Sequence, residues 1–87
     1  MARLTIETFI LGPDETNCYL LSMGGRAVVV DVGLEPGRLI ERINALDLAL
    51  EGVYLTHFHM DHIGGVKELL EALPAPVFAS GEDEFLK

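Results

Sequence analysis

Every histidine of this chain lies in one short segment. His57, His59 and His62 fall within six residues, together with Asp61, directly after the apolar run 53–55. Proteins bind metal ions through neutral imidazole nitrogens and carboxylate oxygens. The segment 57–62 therefore predicts a metal-binding site.

The spacing of these four residues indicates how they would share metal ions. In an extended segment His57 and His59 share a face, because side chains two apart point the same way, and they can bind one ion. Asp61 and His62, beyond a bend, can reach a neighbouring ion. A helix would instead put His57 beside Asp61 and His59 beside His62. The β-favouring residues before the segment and the two glycines after it favour a strand–loop–helix junction over a helix.

The periodicity of the rest of the chain predicts the order βββαβαβ. A hairpin turn is expected at Gly24 and Gly25, and the two later strands follow helical crossovers, which give parallel neighbours. Ligands at the carboxyl end of a strand match the usual binding edge of open α/β sheets. Strands are predicted over 4–10, 17–23, 26–32, 52–56 and 77–79, and helices over 36–48 and 63–73.

The four chemistry-bearing residues resemble the H-x-H-x-D-H motif of the metallo-β-lactamase superfamily of metal-dependent hydrolases. The resemblance implies that His57 and His59 bind a first metal ion, and that Asp61 and His62 bind a second. Two zinc ions are the expected cofactor, with iron or manganese as alternatives. The resemblance also implies that Asp61 is catalytic and steers the attacking hydroxide.

Two upstream stretches extend the resemblance. Residues 16–21 are similar to an early strand of that fold, and residues 28–33 to the strand whose aspartate lies behind the metal site. Asp31 would then orient the metal ligands, although an aspartate at a strand end equally often serves the backbone alone. The implied fold class is α/β: the N-terminal half of an αββα sandwich, with one mixed sheet and helices on its outer face.

The chain departs from the family pattern downstream of the motif. The family's further ligands include histidines, and no histidine follows His62 here. We therefore expect residues 1–87 to form a single partial domain, the N-terminal portion of the family's domain. Its partner would be a missing C-terminal half or a second copy in a homo-oligomer.

The function implied by the resemblance is hydrolysis of an ester or thioester by a metal-bound hydroxide. Residues 16–19 make the chain most similar to glyoxalase II-like hydrolases, while His62 disfavours the penicillin-cleaving branch. Lactonases, phosphodiesterases and persulfide dioxygenases share the same motif and stay open as alternatives. An alternative of another class is a non-catalytic half-domain that binds metal weakly or self-associates through its uncovered sheet face.

Composition adds general expectations. The net charge of −8 opposes binding to nucleic acid or to an anionic membrane surface. The family resemblance implies a small-molecule substrate. The single cysteine, Cys18, excludes an internal disulfide and is typical of a reducing compartment. No apolar run approaches the length of a membrane span, so the cytoplasm is the expected location.

Overall fold

The computed structural model describes residues 3–13, 15–56 and 60–79, and of residues 60–63 and 79 it describes the backbone only. The elements follow the predicted βββαβαβ order, which confirms the α/β class. They are β1 (Thr5–Leu11), β2 (Thr16–Met23), β3 (Arg26–Val30), α1 (Gly37–Ala45), β4 (Ala49–Leu55), α2 (Met60–Ala72) and β5 (Val77–Ala79). Within these ranges, neither helix has the length and apolar character needed to cross a membrane.

The five strands form one mixed sheet whose spatial order is the chain order. β1, β2 and β3 pair antiparallel, whereas β3, β4 and β5 pair parallel through the two helical crossovers. Both crossovers step in the same direction along the sheet. Because such connections are right-handed, both helices lie on the same face.

A two-glycine turn sets the register of the central hairpin. Gly24 and Gly25 have φ of 61° and 80°, and Met23 pairs with Arg26 across them. Two consecutive positive φ angles give the type I′ turn, whose twist matches that of the flanking strands. The hairpin predicted at these glycines is confirmed.

The core lies between the sheet and its two helices. Alternate residues of the central strands are buried there against Leu39 and Ile43 of α1 and Leu69 of α2. The residues that the sheet contributes to this buried cluster are Leu11, Cys18, Leu20, Ala27, Val29, Val53 and Leu55. This packing fixes the height of both helices above the sheet.

The opposite face of the sheet is apolar and open. Ile6 and Ile10 of β1 are 60% and 53% exposed, and Tyr54 and Phe78 of β4 and β5 are also exposed. The rings of Tyr54 and Phe78 stack on this face with centroids 4.9 Å apart. No helix or strand of the described part of the chain covers it. The expected arrangement, one mixed sheet with helices on one face only, is therefore confirmed.

Four boundaries differ from the sequence prediction by two residues or more. β3, predicted to end at 32, ends at Val30, because Asp31 turns to a positive φ of 60°. β4 begins at Ala49 rather than 52, because its first residues pair with the start of β3 and a register shift absorbs one residue. α1 ends at Ala45, and Leu46, expected to face inward, is 41% exposed. α2 begins at Met60 rather than 63, so the glycines at 64 and 65 lie inside the helix and not at its start.

Candidate metal centre

The predicted metal-binding segment follows β4 and extends into the first turn of α2. β4 ends at Leu55 and α2 begins at Met60, so a strand precedes the segment and a helix contains its last residues. His57 and His59 lie outside the described residues. Asp61 and His62 fall in the first turn of α2, where only the backbone is described. The grouping of the four side chains around metal ions therefore stays a prediction.

The backbone at the end of β3 brings Asp31 beside this junction. Val30 pairs with Tyr54 across the parallel β3–β4 ladder, and the Asp31 N–H continues that ladder by donating to the Tyr54 carbonyl at 2.9 Å. Asp31 then takes φ of 60°, in the left-handed region that aspartate tolerates better than most residues. The turn ends the strand and holds the half-buried Asp31 side chain beside the end of β4.

The Asp31 carboxylate is bound by the residue that precedes the first histidine. The backbone N–H of Thr56 donates to Oδ1 at 2.8 Å, and the Thr56 hydroxyl donates to Oδ2 at 2.6 Å. Hydrogen bonds to a charged acceptor are about twice as strong as neutral ones. Asp31 thus fixes both the backbone and the side chain of Thr56, at the point where the chain leaves β4.

This contact makes Thr56 a functional candidate that the sequence did not single out. The expected role of Asp31 was to orient the metal ligands. Among the described residues its partner is Thr56, one position before His57. The available signal was the position of Thr56, since a hydroxyl residue next to a strand-end ligand is well placed to accept or donate a local hydrogen bond.

The negative charge of Asp31 acts on the thiol of Cys18 and favours its protonated form. Burial first, and then the negative charge of Asp31, raise the pKa of the Cys18 thiol from 9.0 to about 12. The thiol is therefore protonated at neutral pH, and it packs in the core as a small apolar group. The buried, protonated thiol is therefore not a ready nucleophile.

The described side chains do not form a metal site by themselves. Across residues 3–13, 15–56 and 64–78, no three histidine, cysteine, aspartate or glutamate side chains group closely enough to hold an ion. The sequence places the candidate donors in the segment 57–62. Their chemistry, imidazole nitrogen and carboxylate oxygen, suits zinc or iron.

Comparison with known proteins gives the family. The model of the metallo-beta-lactamase superfamily matches residues 11–87. The chain belongs to this superfamily. The match includes Asp31, Thr56 and the segment 57–62, so the resemblance carried by those residues extends over most of the chain.

Relatives of the chain in this superfamily include both enzymes and solved structures. It is 40% identical over 76 residues to a hydroxyacylglutathione hydrolase of Methylobacillus flagellatus, covering 87% of this chain. It is similar to the crystal structure of BLEG-1 B3 metallo-beta-lactamase, with a TM-score of 0.82, 30% identity and 94% of this chain covered. It is also similar to the di-iron-bound form of TTHA1623, with a TM-score of 0.75, 38% identity and 92% of this chain covered.

The chain spans a minor part of each of these relatives. It covers 30% of the length of the Methylobacillus protein and 40% of each of the two structures. The BLEG-1 structure matches 94% of this chain, so what the two share is its α/β fold.

Proposed function

We propose that this chain supplies the H-x-H-x-D-H part of the metal site in a hydrolase that cleaves esters or thioesters. One observation carries the proposal. The segment holding His57, His59, Asp61 and His62 begins directly after Thr56, which the Asp31 carboxylate holds at the carboxyl end of a parallel strand. Strand ends of this kind are where α/β folds place reacting groups.

The donor set is suited to hydrolytic metal ions. His57 and His59 would hold one ion, and Asp61 and His62 a second, with zinc or iron as the expected metals. The di-iron form of TTHA1623, 38% identical to this chain, supports that expectation. The chemistry such ions supply is activation of water at neutral pH and polarisation of a carbonyl group. Asp61, a carboxylate within the motif, would hold and orient the proton of the attacking water.

The substrate class that we propose first is the hydroxyacylglutathione thioesters. Support comes from the 40% identity to the Methylobacillus flagellatus hydroxyacylglutathione hydrolase. Because the chain covers 30% of that protein, the groups that bind the substrate lie largely in the part that is not shared. β-Lactams are a second candidate substrate class, because the chain is similar to BLEG-1. His62 argues against this class, and that argument stays a prediction.

The proposal is tested with a chimera of the Methylobacillus hydrolase. This chain replaces the matching segment, and hydrolysis of a hydroxyacylglutathione is measured with and without added zinc, alongside a β-lactam. We expect zinc-dependent thioester hydrolysis, which His59→Ala abolishes. A folded chimera that binds zinc and hydrolyses neither substrate would contradict the proposed function.

A second candidate function, self-association through the open sheet face, is favoured by its exposed apolar residues. Ile6, Ile10 and Met23 are each more than half exposed on one face of the sheet, and the stacked Tyr54 and Phe78 lie on the same face towards its other edge. Contiguous apolar surface of this kind usually marks an interaction site. A second copy of the chain would bury it, and would bring a second set of motif donors into the same particle.

A further inference from the structure

The segment Asp31–Gly33 contacts the chain on both sides of the metal motif. At its first residue, the Asp31 carboxylate binds the N–H and hydroxyl of Thr56, one position before His57. At its last residue, Gly33 packs against Gly65, which lies three positions after His62 and is buried inside α2. One short turn therefore touches both the entry and the exit of the segment 57–62.

The contact between Gly33 and Gly65 is backbone against backbone. A Cβ placed on Gly65 would overlap the carbonyl oxygen of Gly33 and lie 2.7 Å from its carbonyl carbon. That carbonyl belongs to main chain and cannot rotate away as a flexible side chain could. α2 can approach the main chain of Gly33 this closely only because residue 65 has no side chain.

Gly33 has no room to retreat from the helix. A Cβ placed on it would lie 2.7 Å from the Cβ of Thr16 and 3.1 Å from the Cβ of Leu11. Gly33 is thus held between the β1–β2 hairpin on one side and α2 on the other. The height of α2 over the sheet is set at this point by two main chains in contact.

We propose that Asp31–Gly33 is a two-ended clamp that fixes the spacing between the donors at the start of the motif and those in the first turn of α2. The clamp rests on the proposed function, since it positions His57 and His59 relative to Asp61 and His62. Gly65 is within one helical turn of His62, because a turn contains about 3.6 residues. A shift of Gly65 therefore moves the first turn of α2 with it, while Thr56 stays tied to Asp31.

Neighbouring glycines in α2 provide a matched pair of variants. A Cβ on Gly64 would meet only the Cδ2 of Leu34 at 3.1 Å, the far end of a flexible side chain. Glycine is a poor helix former, so alanine favours the helix at both positions. Gly64→Ala should therefore leave the melting temperature unchanged or higher, whereas Gly65→Ala should lower it and displace the helix.

The test is a titration of the chain with Co²⁺, followed by visible absorption, for wild type and variants. We expect Gly65→Ala to weaken Co²⁺ binding by about tenfold or more, and Gly64→Ala to change it by less than about twofold. At the other end of the clamp, Thr56→Val should weaken binding, and Thr56→Ser, which keeps the hydroxyl bond to Asp31, should restore it. Wild-type affinity in both Gly65→Ala and Thr56→Val would overturn the clamp.

A second measurement separates failure of the clamp from failure of the proposed function. Amide hydrogen exchange at residues 57–62 is compared in the metal-free proteins. The clamp requires faster exchange there in Thr56→Val, which removes one hydroxyl at the surface and keeps the core, and in Gly65→Ala if it folds. Unchanged exchange in Thr56→Val would overturn the clamp. Faster exchange in a chain whose wild type binds no Co²⁺ would support the clamp and contradict the proposed function.

Discussion

The Asp31 carboxylate accepts two hydrogen bonds from Thr56, one from the backbone N–H at 2.8 Å and one from the hydroxyl at 2.6 Å. The two residues are 25 positions apart and meet because β3 and β4 are parallel neighbours. Asp31 therefore connects the end of one strand to the residue that introduces the metal motif. Its φ of 60° turns the chain out of β3 at this point.

Asp31→Asn should weaken both the junction and metal binding. Asparagine tolerates the left-handed backbone, but its amide has one acceptor oxygen in place of two and no charge. We expect a loss of about 1–3 kcal/mol in the free energy of unfolding and about a tenfold or greater loss of zinc affinity. Urea denaturation and a zinc titration measure the two effects.

Asp47→Asn is the matched control for this variant. Asp47 also has a positive φ, 55°, and it is exposed in the loop between α1 and β4. The same chemical change there should alter neither unfolding nor zinc affinity measurably. Equal effects of the two variants would show that Asp31 has no special relation to the metal motif.

Cys18 should be inert to thiol reagents while the chain is folded. Its thiol is fully buried and its pKa is raised to about 12, so almost no thiolate is present at pH 8. We expect no reaction with a chromogenic disulfide reagent in buffer and complete reaction in denaturant. Rapid labelling of the native chain would contradict the packing of Cys18 between the sheet and the helices.

The same thiol makes stability fall at high pH. Between the ordinary pKa of 9.0 and the raised value of about 12, the unfolded chain releases a proton that the folded chain retains. The contribution of Cys18 to stability is thus complete below pH 9 and is lost as the pH rises towards 12, with a slope of about 1.4 kcal/mol per pH unit. Cys18→Ala should remove this slope in urea titrations at pH 8–11. An identical slope in the variant would assign it to other groups.

Sequence patterns predicted the elements well because each has a local cause. The Gly24-Gly25 turn is one such cause. The apolar stripes of the helices and the alternation in the early strands are others, and each pattern is formed by residues only a few positions apart in the sequence. The parallel pairing of the later strands then followed from the helical crossovers between them. The boundaries of β4 and α2 were wrong by three residues each, because pairing with β3 and docking of α2 are tertiary effects.

The site could be predicted only in part for the same reason. The types and spacing of the motif residues predict the metal site from the sequence alone. The partner of Asp31 and the contact of Gly33 with Gly65 join residues 25 and 32 positions apart in the chain, and no local pattern specifies them. A close approach was expected at the two glycines after the motif, and it is confirmed at Gly65. What it approaches, the carbonyl of Gly33, became known only from the fold.

Leu69→Ala should test whether α2 is held by the core described above. Leu69 is fully buried against the sheet, and its truncation leaves a cavity. We expect a loss of about 2–5 kcal/mol in the free energy of unfolding. Leu46→Ala, at a position 41% exposed after α1, should cost at most about 1 kcal/mol in the same urea experiment. Similar costs at both positions would contradict the packing of α2 on the sheet.

Self-association should depend on the open face of the sheet. Ile6 and Ile10 lie on that face, and threonine keeps their strand preference while adding a polar group. We expect the wild-type mass in sedimentation to rise with concentration, and the double change Ile6→Thr with Ile10→Thr to weaken association by about tenfold or more. Leu46→Thr, on the helical side of the molecule, is the control. If the double change left association unaffected, this face would not be the surface through which the chains associate.

The central claim is that the segment from His57 to His62 binds metal, and a titration with zinc tests it most directly. Wild type and His59→Ala, both free of any polyhistidine tag, are titrated calorimetrically with Zn²⁺ at neutral pH. We predict at least one ion bound per wild-type chain and a loss of about tenfold or more in affinity in His59→Ala, because one imidazole donor is removed. Equal affinity in the two proteins, or no binding to either, would contradict the assignment.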